Sequence, residues 1–113
     1  PEQVKQGLCW TMWSLDSERV WEKATIEAVL RRTGDLLGHK LRDFLGPFFV
    51  AVSGRASATP LFETMAILGR DLTRARLRHA VDVLGGLSGK EEKRWRDEHT
   101  AAVGARDEGE AEA

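Results

Sequence analysis

Apolar residues recur along this chain at intervals of three and four, and no stretch alternates with the period of two that a half-buried strand requires. Val4, Leu8 and Met12 stand at i, i+4 and i+8, so the first segment reads as a helix that also carries Trp10 and Trp13. Asp16 or Ser17 is placed to cap the next helix. Ile26, Val29, Leu30, Thr33 and Leu37 form the clearest apolar stripe, with Thr25 as a cap at its start and Gly38 as a left-handed stop at its end. Pro47 has a fixed φ and no amide hydrogen, which suits the first turn of a short helix that reaches Ser53 and is closed by Gly54. Pro60 does the same for a helix from Leu61 to Leu68, closed by Gly69, and the small polar residues 55–59 between them read as a loop. A further helix starts near Asp71 and sets Leu77, Ala80, Val81 and Leu84 on one face before Gly85-Gly86. Ser88-Gly89-Lys90-Glu91 has the spacing of a capping box, so one more helix is expected around Trp95.

These elements predict an all-α fold, a compact helical bundle of about six helices with a disordered acidic C-terminal tail. Residues 1–87 are expected to form the helical domain and residues 88–113 a charged helix and that tail. With 113 residues there is room for one core. The apolar fraction of 42% and charged fraction of 31% are those of an ordinary globular chain. No run approaches the roughly 20 apolar residues that cross a bilayer, so no membrane partner is expected. The N-terminus has neither a signal pattern nor a Met, which points to a processed chain or an excised fragment, and the cytoplasm is the expected compartment. Cys9, the single cysteine, cannot form an internal disulfide and fits a reducing compartment.

The formal net charge of -1 hides an uneven distribution. From Arg31 to His79 there are nine basic residues against four acidic ones, about +5 locally, while the tail from Asp107 onward is acidic. Twelve arginines outnumber five lysines, a balance suited to planar contacts with phosphate and bases. Basic groups also stand at helix ends, in Gly54-Arg55 and Gly69-Arg70. Guanidinium groups beside helix starts can position a polyanion, so nucleic acid is the first partner to consider, and solvated Arg-rich faces are the bland alternative.

Other chemistries find little support. His39, His79, His99 and Cys9 are not paired at the two-to-four residue spacing of a zinc site, and no metal is expected. Ser53 lacks the G-x-S-x-G context of a nucleophile turn, and the glycines form neither a G-x-G-x-x-G nor a P-loop cradle. No catalytic residue and no cofactor are predicted.

Read as one string, Lys40-Leu41, Pro47, Ala51, Gly54-Arg55, Leu61-Phe62, Leu68-Gly69-Arg70, Arg76-Leu77 and Ala80 resemble the C-terminal anticodon-binding domain of bacterial glutamyl-tRNA synthetases. That family carries K-L, P-L-R-x-A-L-T-G-R, a loop, L-F, L-G-R/K and R-L-x-x-A in this register, and the resemblance covers roughly residues 20–84. It implies an all-α cage that holds the anticodon loop of glutamate tRNA. On that reading Arg55, Thr59 and Leu61 meet the loop, with Leu61 near the bases, while Lys40, Arg42, Arg70 and Arg74 add phosphate attraction. Arg76, of the R-L pair, has a structural ion pair with Asp43, Glu63 or Asp71 as its alternative to RNA. The family's usual Arg in the P-L-R element is Phe49 here, and Ala58-Thr59 replaces a commoner Gly-Pro or Ser-Pro.

The synthetase signatures H-I-G-H and K-M-S-K-S have no counterpart, so this stretch alone should not activate glutamate. Two readings result. One is a non-catalytic tRNA-binding domain of a glutamate–tRNA ligase. The other is a diverged copy that acts as a protein-interaction module and docks on the catalytic part of a synthetase, or on another protein, through its aromatic first helix. Trp10, Trp13, Trp21 and Trp95 fit a core or a covered surface better than base stacking, and exposed apolar area is expected on the first helix.

Overall fold

Helix α1 (Glu2–Asp16) is the axis around which the chain is laid. Residues 7–15 are buried without interruption, as in a helix enclosed on every side rather than one with a single apolar stripe. The computed structural model describes residues 2–54 and 60–112, with side chains described as far as Ala105. Within them α1 packs against α2 (Lys23–Leu36), α3 (Leu41–Ser53), α5 (Arg70–Val83) and α6 (Gly89–Glu112), while α4 (Leu61–Leu68) sits against α2, α3 and α5. The fold is all-α, with six helices and no strand among the described residues.

Phe44 fixes how α1, α2 and α3 meet. A Cβ on Gly7 would stand 2.9 Å from its Cε1, and one on Gly34 would stand 3.2 Å from its Cδ2, so the ring fills the space two absent side chains leave. Phe48 lies against it at 5.1 Å between centroids. Ile26, Leu30, Phe48, Met65, Leu77 and Val81 complete a core in which each is at most 1% exposed.

Helix α2 buries the predicted Ile26, Val29, Leu30 and Thr33 and ends at a left-handed Gly38. Gly38 N–H donates to Asp35 O at 3.0 Å and His39 N–H to Gly34 O at 2.9 Å, the paired bonds of a Schellman stop. Its start differs from expectation. The N-cap is Glu22, with no side-chain cap bond, rather than Asp16, Ser17 or Thr25. Helix α3 also differs, because it begins at Leu41 and carries Pro47 inside it. Pro47 removes only one interior donor, toward Asp43 on the exposed face, and buried Phe44, Phe48 and Val52 hold the helix across it.

Among the described residues, the expected docking surface on the first helix is absent. Trp10 is 5% and Trp13 6% exposed, because α6 lies over them and adds Trp95, at 2%, to the same core. His99 meets both indoles edge-on and shares a 2.8 Å hydrogen bond with Ser14 Oγ. Lys5 pairs with Glu91 at 2.9 Å. Ser88 Oγ caps α6 by accepting from Glu91 N–H at 3.1 Å. The α6 backbone is helical to Glu112, so the acidic tail falls on its last turns, where side chains lie outside the described set. No described helix is long and apolar enough to cross a membrane.

Candidate nucleic-acid interface

The sequence gathers seven residues into one expected site, and the structure distributes those it describes over three places. Arg55 and Thr59 lie outside the described residues. Leu61 opens α4, and its side chain is only 4% exposed and belongs to the core. What that corner offers is main chain. Pro60 supplies no side-chain cap, and Thr64 N–H takes the Pro60 carbonyl at 3.0 Å, so the amides of Leu61, Phe62 and Glu63 have no intrahelical acceptor.

At the other end of α4, about 12 Å away at 1.5 Å per residue, Gly69 turns directly into α5. Its φ of 87° is open to glycine and closed to most side chains. Arg70 there faces inward. Its Nη1 donates to Leu15 O at 2.8 Å and its Nη2 to Glu18 O at 2.6 Å, while its guanidinium lies 5.0 Å from the Trp21 ring. Leu15 is in the last turn of α1, where carbonyls lack helical partners, so Arg70 acts as a C-terminal cap on another helix. Arg76 does the same for Val52 O in the last turn of α3, a carbonyl rather than the expected carboxylate of Asp43, Glu63 or Asp71. Arg74 pairs with Asp16 at 2.9 Å, and that hydrogen bond holds its guanidinium more firmly protonated than usual. Met65 O collects Gly69 N–H, Trp21 Nε1–H at 3.0 Å and Thr73 Oγ1–H at 3.3 Å.

Lys40 and Arg42 lie in a third place, at the start of α3 and about 19 Å along that helix from Gly54. Both side chains are exposed and have no ion pair among the described residues. Lys40 is the N-cap, with no side-chain cap bond. Beside it a cavity of about 340 Å³ is lined by Ala28, Arg31, Arg32, Gly34, Asp35, His39 and Leu41. Sequence reasoning counted Arg31 and Arg32 only as charge. Arg32 adjoins the buried Val29, Leu30 and Thr33, and that adjacency is the signal that it is half-buried at a helix junction. Arg32 also helps depress the pKa of His99, after burial and together with Arg96. Burial raises the Cys9 thiol to about 11, which leaves it inert at neutral pH.

Residues 1–81 match the family model described as "Anticodon binding domain". The glutamate–tRNA ligase of Acinetobacter baumannii strain AYE is 45% identical over 94 residues, 83% of this chain and 19% of the relative. That of Saccharophagus degradans is 44% identical over 111 residues, 98% of this chain and 22% of the relative. That of Psychrobacter cryohalolentis is 46% identical over 94 residues, 83% and 18% respectively. This chain thus spans about a fifth of the length of the curated relatives it matches.

Proposed function

We propose, given that this chain belongs to the anticodon-binding domain family, that it holds the anticodon loop of glutamate tRNA without performing chemistry itself. The ligation of glutamate to that tRNA in the cytoplasm would be the task of a longer protein that contains this domain, as in relatives named glutamate–tRNA ligase. The observation that carries the reading is the match of residues 1–81, which takes in α1 to α4 and most of α5.

In this reading Arg55 and Thr59 grip the loop, and the opening amides of α4 face its phosphates, because helix starts carry partial positive charge toward an anion. Leu61 contributes its amide and the rigidity of its buried side chain rather than a contact with a base. Lys40 and Arg42 attract backbone phosphates from the far end of α3. Arg70 supports the frame through the Leu15 and Glu18 carbonyls, and Arg74 does so through its Nε pair with Asp16. Phe49 packs against the core where the resembling family has Arg, so recognition falls to the loop.

The test is fluorescence anisotropy with labelled glutamate tRNA and a non-cognate tRNA. Preference for the cognate species, affinity that falls steeply between low and moderate salt, and weakening by Arg55→Ala are expected. Equal, salt-insensitive binding of both tRNAs, or none, overturns the reading.

A further inference from the structure

Helix α4 cannot set its own direction. At 8 residues it is shorter than the roughly 12 that an isolated helix needs, so its neighbours hold it. Leu61 and Met65 are its buried side chains, one turn apart on one face, with Phe62, Ala66 and Leu68 packed beside them. Apolar contact of this kind is non-directional, whereas a hydrogen bond weakens as its angle departs from linear. The Met65 carbonyl is where direction enters. It accepts Gly69 N–H at 3.2 Å along the chain, Thr73 Oγ1–H at 3.3 Å from α5, and Trp21 Nε1–H at 3.0 Å from the residue before the α2 cap. A carbonyl oxygen has two lone pairs, so three donors share it, and the indole is the nearest. The indole is held in turn. The Arg70 guanidinium lies 5.0 Å from its ring and is bound to the Leu15 and Glu18 carbonyls at and just past the end of α1. A second polar tie between α2 and α4, Lys23 with Glu63 at 3.0 Å, is exposed on both sides and is screened by salt.

We propose that Trp21 is a positioning residue for RNA recognition, whose indole N–H fixes the angle at which α4 presents its first turn to the bound tRNA. The inference rests on the RNA-binding reading and adds to it a side chain that acts through α4 and touches no RNA itself. Met65 lies about 6 Å along the helix from Leu61, so a carbonyl released at one end tilts the amides at the other. Without the indole donor α4 samples several angles, only a fraction of them competent, and apparent affinity falls by that fraction. Once tRNA is bound the phosphate contacts are those of the wild type, so the salt slope stays the same. Loss of affinity at constant slope separates positioning from a phosphate contact. Replacement by another aromatic ring separates it from base stacking, which phenylalanine also provides.

The experiment uses the full chain and labelled glutamate tRNA, with affinity followed against salt. Trp21→Phe keeps a ring beside Arg70 and removes the donor, so affinity should fall roughly threefold to tenfold, the fold-change of one net hydrogen bond, with no change in slope. Residual dipolar couplings of the α4 amides, measured against those of α1, should shift in the same variant. Trp95→Phe is the control. Trp95 stands on α6, 2% exposed, with Lys5 of α1 over its ring, so its loss should cost at least as much stability in urea yet leave tRNA affinity and the α4 couplings at wild type. The amide spectrum reports folding of each variant. If Trp21→Phe does not fold, Thr73→Val withdraws the other side-chain donor from the same carbonyl at nearly constant volume, and a loss of about twofold at constant slope is expected. If the wild type binds tRNA and the folded Trp21→Phe chain, or Thr73→Val in its place, keeps wild-type affinity or loses slope, the positioning role is overturned while the functional reading stands. Equal weakening by Trp95→Phe overturns it too, because general destabilisation would then explain both. If the wild type binds no tRNA, the functional reading falls and the positioning role falls with it.

Discussion

The α4–α5 corner and the α2–α3 corner are both rich in arginine, and they use it in opposite ways. At the first, Arg70 and Arg76 turn inward and close the open ends of α1 and α3, while Arg74 is held at the surface by Asp16. At the second, Lys40 and Arg42 point out, and Arg32 has a buried donor with no described partner. Local charge is therefore a poor guide to a ligand surface. What decides is whether a helix C-terminus with unsatisfied carbonyls lies within reach, because a carbonyl so placed will take the guanidinium first.

That contrast can be broken most sharply at Arg70. Arg70→Ala removes two charged hydrogen bonds and the contact with Trp21, so it should lower unfolding free energy by about 3 kcal/mol, read from the urea midpoint. If stability holds and only RNA affinity drops, Arg70 belongs with the outward group and the contrast fails. Gly7→Ala tests the frame that keeps the two corners apart. Its Cβ would meet Phe44 at 2.9 Å, and a loss of about 1–2 kcal/mol is expected despite the helix propensity of alanine. Thermal unfolding measures it, and a stabilised variant would mean that the Phe44 ring moves freely.

Arg42→Ala is the outward counterpart. Stability should stay within about 0.5 kcal/mol of wild type, while the salt slope of tRNA binding falls by roughly one contact. A clear stability loss in urea would place it with Arg70. The smallest effect concerns His99, whose folded pKa is depressed by burial and by Arg32 and Arg96. The unfolded chain then binds the proton more readily. The stability tied to neutral His99 is complete above its ordinary value near 6.5, and it is lost as pH falls through the lowered folded value. A urea midpoint that drops slightly between pH 7 and pH 5 in wild type, and less in His99→Gln, is the expected result; identical drops would remove His99 as the cause.

Helix periods and glycine stops were legible because they follow from local chemistry. The stripe of Ile26, Val29, Leu30 and Thr33, the stop at Gly38 and the Pro60 start of α4 stand where the pattern puts them. Pro47 misled because a proline that suits a first turn is also tolerated inside a helix when buried aromatics on either side hold the backbone. The candidate site was legible only in part. Lys40 and Arg42 are exposed, whereas Leu61, Arg70, Arg74 and Arg76 are engaged by partners far away in the chain or by the shared core, which no local pattern encodes. The tryptophans pack the core as the sequence favours, but the exposed apolar face expected on the first helix is missing for the same reason, because α6 covers Trp10 and Trp13 from the far end of the sequence.

Trp95 lies beyond residue 81, where the family match stops, yet it is 2% exposed against the first helix. An expression clone trimmed to the alignment boundary would strip the roof from two indoles and leave an adhesive surface that invites aggregation. The practical unit for producing this domain therefore extends at least through His99.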